Sequence, residues 1–150
     1  MAILRDDPYG AFNYKVTITP KSGDEIRGAF SDVSGLSTEV TYAEYREGTD
    51  AGNHSRRIPT VYKVGDITLK RGLIGSLDLY KWIDLVRKGD QSARATVLIE
   101  LKNESATETI ASWQLSGARP SKWTGPTLGA KSTEVAMEEL TLVCEDMQFT

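Results

Sequence analysis

One histidine, one cysteine and a scatter of carboxylates and hydroxyls are the residues of this 150-residue chain with reactive potential. His54 lies in Gly52-Asn53-His54-Ser55-Arg56-Arg57. A serine or cysteine nucleophile would need that imidazole held as its base, and a polar, glycine-containing loop holds it poorly. A single histidine with no paired cysteines also falls short of a metal ligand set. Gly125-Pro126-Thr127-Leu128-Gly129-Ala130-Lys131-Ser132 superficially resembles a phosphate loop. That motif requires four residues between its glycines and a glycine directly before lysine. Here three residues intervene and Ala130 precedes Lys131, so a surface loop is expected. Glu138 and Glu139 are adjacent in a strand pattern and point to opposite faces, so they cannot flank one substrate. Cys144 alternates with Leu140 and Leu142, which predicts a small buried side chain rather than a reactive thiol. Asn53-His54-Ser55 and Asn103-Glu104-Ser105 match the glycosylation sequon, and both are expected to stay bare. No catalytic group, cofactor site or metal site is expected.

The elements that would carry such residues are mostly strands. Residues 12–19 alternate apolar and polar side chains, the pattern of a half-buried strand. Residues 20–24, Pro20-Lys21-Ser22-Gly23-Asp24, read as a turn into a second strand over 25–30. Further strands are expected over 38–45, 66–70, 93–102, 109–115 and 133–144, about seven in all. One helix is expected over 76–88, with Ser76 as N-cap, Asp78 in the first turn, Arg87 and Lys88 in the last, and Gly89 as its stop. Leu79, Trp82, Ile83 and Val86 make its single apolar stripe. Trp82 is expected in the core, with Trp113 and Trp123 either core or interface. The expected fold is mainly β: a compact β-barrel or sandwich, one domain over 1–150, with one flanking α-helix and a long protruding hairpin.

That hairpin is the chain's most unusual feature. Residues 33–40 and 44–50 lead out, residues 62–72 lead back, and residues 46–60 between them are charged and nearly free of apolar side chains. A loop of that length in a compact domain is commonly disordered or reserved for a partner. Composition agrees with a soluble globular protein: 39% hydrophobic, 26% charged, net charge −3. No apolar run suits a membrane helix. No basic cluster is dense enough to hold a nucleic-acid backbone. Two acids near the N-terminus and the lack of a long apolar core predict no signal peptide and synthesis in a cytoplasm.

Asp7-Pro8-Tyr9 and Phe12-Asn13-Tyr14 resemble the opening of the contractile-tail tube family. That family includes the tail tubes of T4-like phages and the inner tubes of extracellular contractile injection systems. Phe30-Ser31-Asp32-Val33-Ser34-Gly35-Leu36, Glu44-Tyr45-Arg46-Glu47-Gly48 and Lys63-Val64-Gly65-Asp66-Ile67-Thr68-Leu69-Lys70-Arg71-Gly72 are similar to its central signatures. Trp123-Thr124-Gly125-Pro126 and Glu134-Val135-Ala136-Met137-Glu138 resemble its C-terminal ones. The blocks span nearly the whole chain in the family's order.

The resemblance implies six-membered rings stacked into a hollow tube, with a channel lined by strands from every protomer. Partners would be further copies of the chain, a surrounding sheath protein, baseplate, spike and tube-terminating proteins, and a luminal cargo protein or DNA. The mature form would sit in a phage tail or an extracellular contractile particle. In that family the hairpin reaches neighbouring subunits, which maps here onto residues 44–63. Candidate contact residues are Tyr45, Arg46, Glu47, Arg56, Arg57 and Tyr62. Asp50-Ala51-Gly52-Asn53-His54-Ser55 departs from the shorter loop expected of the family. The physics of strands points the same way, because edge strands must be paired or blunted and a ring closes them between protomers. Alternatives are a type VI secretion-like tube protein, and a monomeric β-barrel binding module or small hydrolase.

Overall fold

In the computed structural model, residues 2–21 and 25–150 are described. Among them the chain forms ten strands and one helix: β1 (Tyr14–Pro20), β2 (Ile26–Gly28), β3 (Asp32–Ser34), β4 (Thr38–Tyr45), β5 (Arg56–Val64), β6 (Ile67–Gly72), α1 (Asp78–Arg87), β7 (Ala95–Lys102), β8 (Thr109–Thr124), β9 (Met137–Val143) and β10 (Asp146–Phe149). Eight strands form one antiparallel sheet in the order β2-β1-β7-β8-β9-β6-β3, with β10 on the side of β8. β4 and β5 form a separate two-stranded sheet.

β8 lets one sheet enclose a core. Its first half pairs β7 and β10, and beyond Gly117, at φ 63°, its second half pairs β9. Strand alternation then turns Val16, Ile18, Val97 and Ile99 of one half toward Ile67, Leu69, Leu140 and Leu142 of the other. All of these are at most 2% exposed, so this is where apolar burial drives the fold. The result is a β-sandwich with a flanking helix.

α1 covers β8. Leu79 and Trp82 are buried, Val86 packs on the core margin, and the Trp82 indole donates to the Ala93 carbonyl at 3.0 Å. The N-cap is Leu77 without a side-chain cap, not Ser76. Asp78 takes the capping duty instead, accepting from the Leu79 amide at 2.9 Å. At the other end Gly89 adopts φ 87°, and Gly89 N–H to Val86 O with Asp90 N–H to Leu85 O closes a Schellman stop.

Several boundaries move. The expected strand over 109–115 continues to Thr124, because β9 offers a second partner just where β7 ends. The strand expected from 133 begins only at Met137, since residues 133–136 have no partner strand. Of the expected turn over 20–24, residues 22–24 lie outside the described residues. Cys144 is buried at 7% exposure near Leu140 and Leu142, as the alternation implied.

Candidate functional site

The hairpin begins where the body ends. β3 pairs β6 as Asp32↔Lys70 and Ser34↔Thr68, and the hairpin continues as Thr38↔Val64 and Val40↔Tyr62. Four residues advance on each strand between these sets, so the register passes the junction without slipping. At the junction Gly35 adopts φ 86°, and a Cβ there would stand 2.1 Å from the Asp66 carbonyl oxygen. Only glycine fits. Gly65 N–H donates to Ser37 O at 2.9 Å and carries the ladder across.

The returning arm is therefore β5, not residues 66–70, which belong to the main sheet as β6. The hairpin runs from 38 to 64 rather than 44 to 63, and its loop is 46–55, because residues 56–59 already pair with β4. The register shifts between Val40 and Tyr42 at a bulge, where the Thr60 hydroxyl donates to Thr41 O at 2.7 Å.

Every residue of β4 is exposed, and in β5 only Val64 is buried. Val40, Tyr42 and Tyr62 lie to one side by alternation, and Tyr45 and Ile58 to the other. All five are about half exposed or more. Neither face is covered by the protomer. A two-stranded sheet alone in water is marginal, and Thr38 to Lys63 O, the Lys63–Glu39 ion pair at 3.0 Å and the tip contacts supply only surface interactions.

The six candidate contact residues separate into two groups. Tyr45, Arg46, Glu47 and Arg56 meet at the tip, with Asp50 at its centre. Arg56 pairs with Asp50 at 2.9 Å, and Asp50 also accepts from the Glu47 amide at 3.0 Å. Arg46 donates to Gly52 O at 3.1 Å, and Tyr45 OH to Glu47 at 3.2 Å. Arg57 stands opposite Glu44 in register but forms no ion pair with it, nor any hydrogen bond from its side chain among the described residues. Tyr62 is separate, near the hinge, where its hydroxyl donates to Asp146 at 3.2 Å. Proximity of the Asp146 carboxylate and that hydrogen bond push the Tyr62 phenol above its ordinary pKa. His54 sits exposed in the loop.

A second cluster escaped sequence reasoning. Arg71 and Glu138 are directly opposite on β6 and β9, at 3% and 2% exposure. The Arg71 Nε donates to Glu138, another guanidinium nitrogen reaches Asp78 at 2.5 Å, and the Trp123 indole donates to Glu138 at 3.2 Å. Tyr80 meets Trp123 edge-on at 5.3 Å. Burial would raise the Asp78 carboxyl, but hydrogen bonds from Arg71 and Ser76 outweigh it and hold its pKa below the ordinary value. The readable signal was that Arg71 continues the inward row of Ile67 and Leu69, and Glu138 begins that of Leu140 and Leu142. The cluster ties α1 to the sheet with every carboxylate engaged, so it reads as structural. Among the described residues no group of three or more His, Cys, Asp or Glu side chains is placed to hold a metal. No helix among them is long and apolar enough to cross a membrane.

Comparison with known structures gives close relatives. A chain from the baseplate of the anti-feeding prophage, six-fold symmetrised, is 26% identical with a TM-score of 0.85, covering 97% of each chain. A chain from the sheath–tube complex of the extracellular contractile injection system PVC, in its extended state, is 28% identical with a TM-score of 0.81, covering 95% of this chain and 91% of that one. A chain from the tube-terminating cap of the anti-feeding prophage is 29% identical at TM-score 0.82, covering 100% and 95%. Hcp1 from Flavobacterium johnsoniae, 16% identical at TM-score 0.54 and covering 90% and 94%, shares the fold alone. A search of curated protein sequences finds no match. Residues 10–148, from before β1 to within β10, match the family described as T4-like virus tail tube protein gp19, and the chain belongs to that family.

Proposed function

We propose that this protein is the inner tube subunit of a contractile tail or contractile injection particle. Copies assemble as hexameric rings, and the rings stack into a hollow conduit for protein cargo or DNA. The subunit performs no chemical step. Its partners are further copies, a surrounding sheath, the baseplate and spike that start the tube and the proteins that end it. Its mature location is the phage tail or the extracellular particle. Relatives from a sheath–tube complex, a baseplate and a tube cap support that set of partners.

The observation that carries the reading is the β4–β5 hairpin, exposed on both faces with tyrosines, valine and isoleucine. Exposed apolar surface of this kind marks an interaction site, and strands left with open edges invite pairing. Tyr45, Arg46, Glu47, Arg56, Arg57 and Tyr62 form the clasp to neighbouring copies.

Electron microscopy of the purified, concentrated protein is the test. Rings and tubes are expected. A protein that remains monomeric at every concentration in size-exclusion chromatography is a binding module instead. Arg56→Ala with Arg57→Ala is expected to keep the fold and impair tube growth, and tubes of normal length from that variant would remove the clasp role.

A further inference from the structure

Where β8 leaves one half of the sheet for the other, Gly117 forms a notch without a side chain. A Cβ there would stand 2.7 Å from the Glu145 carboxylate, so that side chain is folded over the glycine. The Glu145 amide donates to Ser116 O at 2.9 Å and fixes the residue beside the notch. Two clefts, of about 390 and about 170 Å³, open on either side of this carboxylate, and Gly117 and Glu145 line both. At roughly 30 Å³ per water, even the smaller has room for a tetrahedral oxyanion.

The charge around the notch is lopsided. Lys21, just past β1, and Arg94, just before β7, line the larger cleft, and Arg119 of β8 lines the smaller. Glu145 is the one acid among the described residues that line either. The Lys21 amide donates to Arg94 O at 3.0 Å, which holds the two cations side by side. Arg94 lies 3.8 Å from Glu145, too far for a hydrogen bond. The Lys21 ammonium and the hydroxyl of Thr96, which also lines the larger cleft, make no hydrogen bond or ion pair among the described residues. One Arg119 guanidinium nitrogen donates to Gln91 O at 3.1 Å, but its Nε is buried with no partner. A buried donor left unpaired is destabilising. Three cations against one carboxylate leave the notch positive in a chain whose net charge is −3.

We propose that this notch is a site for a small tetrahedral oxyanion of the phosphate class, seated over Gly117 between Arg94 and Arg119 in place of the Glu145 carboxylate. Arg94 and Arg119 supply charge-assisted N–H donors, among them the Nε that finds no acceptor in the protomer. Lys21 adds charge and Thr96 a neutral donor. Glu145 is the built-in competitor for the same donors. The donors converge from three separate parts of the chain, which suits the diverging oxygens of a tetrahedral anion better than the two of a carboxylate. The site needs no second copy, so it stands apart from the tube reading.

Titration with inorganic phosphate, at an ionic strength held constant with chloride, tests it by NMR on the Arg119 Nε–H and Gly117 amide resonances. Both are expected to shift saturably with a millimolar midpoint, and chloride alone is expected to shift neither. Glu145→Gln removes the competing charge at nearly constant shape and is expected to tighten the midpoint at least about three-fold. Arg94→Gln with Arg119→Gln, read on the Gly117 amide with folding checked by circular dichroism, is expected to weaken it at least about ten-fold. Where that pair fails to fold, the exposed Lys21→Gln decides instead, with a weakening of at least about two-fold expected. No saturable shift in the wild type overturns the site, and so does a midpoint that the folded cation variant leaves unchanged. A Glu145→Gln midpoint no tighter than wild type overturns the seat over Gly117.

Discussion

Arg71 and Glu138 occupy core-facing positions where neighbours on the same strands are leucine and isoleucine, and each depends on the other's charge. Removing Arg71 leaves Glu138, at 2% exposure, with only the Trp123 indole, whereas removing Glu138 leaves Arg71 its Asp78 partner. Arg71→Ala is expected to cost about 3–5 kcal/mol in urea unfolding, because breaking a buried pair is far worse than never having it. Replacing both, as Arg71→Met with Glu138→Leu, is expected to cost much less than the single change, and equal losses would show that the pair's charge is not what matters. Glu104 is a different case, at the surface. A hydrogen bond from Arg5 takes its carboxyl from an ordinary 4.5 down to about 2. A depressed carboxylate stabilises the fold above its unfolded value and loses that contribution as pH falls through the folded one. The tether of the N-terminal segment, which Arg5 also holds through Asp7 O and Pro8 O, is therefore expected to loosen between pH 4.5 and about 2. An NMR titration checks this: Arg5→Ala should return the Glu104 midpoint toward 4.5, and an unmoved midpoint would refute the pairing.

At the scale of elements, the junction between body and hairpin is set by one glycine. Gly35→Ala must bear a left-handed backbone, at about 1–2 kcal/mol, and a Cβ within 2.1 Å of a backbone oxygen. It is expected to lower the melting temperature and to displace the hairpin, so that tube growth falls further than stability does. Assembly in step with wild type at equal stability would deny the junction that role. How far such elements could be read from sequence depended on whether they had an inside. β1, β6 and β7 alternate because one face meets the core, and for that reason the strands expected over 12–19, 66–70 and 93–102 largely overlap them. β5 shows no buried alternation through Arg56–Tyr62, so its first half passed for loop. The polar end of β8, at Ser121 and Lys122, hid its continuation for the same reason. Arg71 failed to announce its burial because a lone charge in a strand looks like solvent, and its partner lies 67 residues away. The six candidate contact residues were legible as a protruding loop, but not as a tip around Asp50 with Tyr62 apart at the hinge.

At the scale of the whole molecule, stability is unevenly shared, and the tube reading predicts where assembly evens it out. The eight-stranded sheet closes on one core of residues at or near 0% exposure, so its central strands should open only with global unfolding. Among the described residues, the hairpin has two strands, no buried face beyond Val64 and one side-chain hydrogen bond, from Tyr62, to the body. Its amides are therefore expected to exchange with solvent orders of magnitude faster than those of β7 and the first half of β8 in the free protomer. Tyr62→Phe removes that single tether and should speed exchange of β4 and β5 further while leaving β7 unchanged. On the tube reading, a neighbouring copy would cover faces that the protomer leaves open, and backbone edges would gain partners. Hydrogen exchange read by mass spectrometry on monomer and tube then separates two pictures. Strong new protection concentrated in residues 38–64 places the hairpin within the contact that builds the conduit. Equal exchange there in both states, with new protection only on the sheet, would mean that rings stack through the body and the arm remains in solvent.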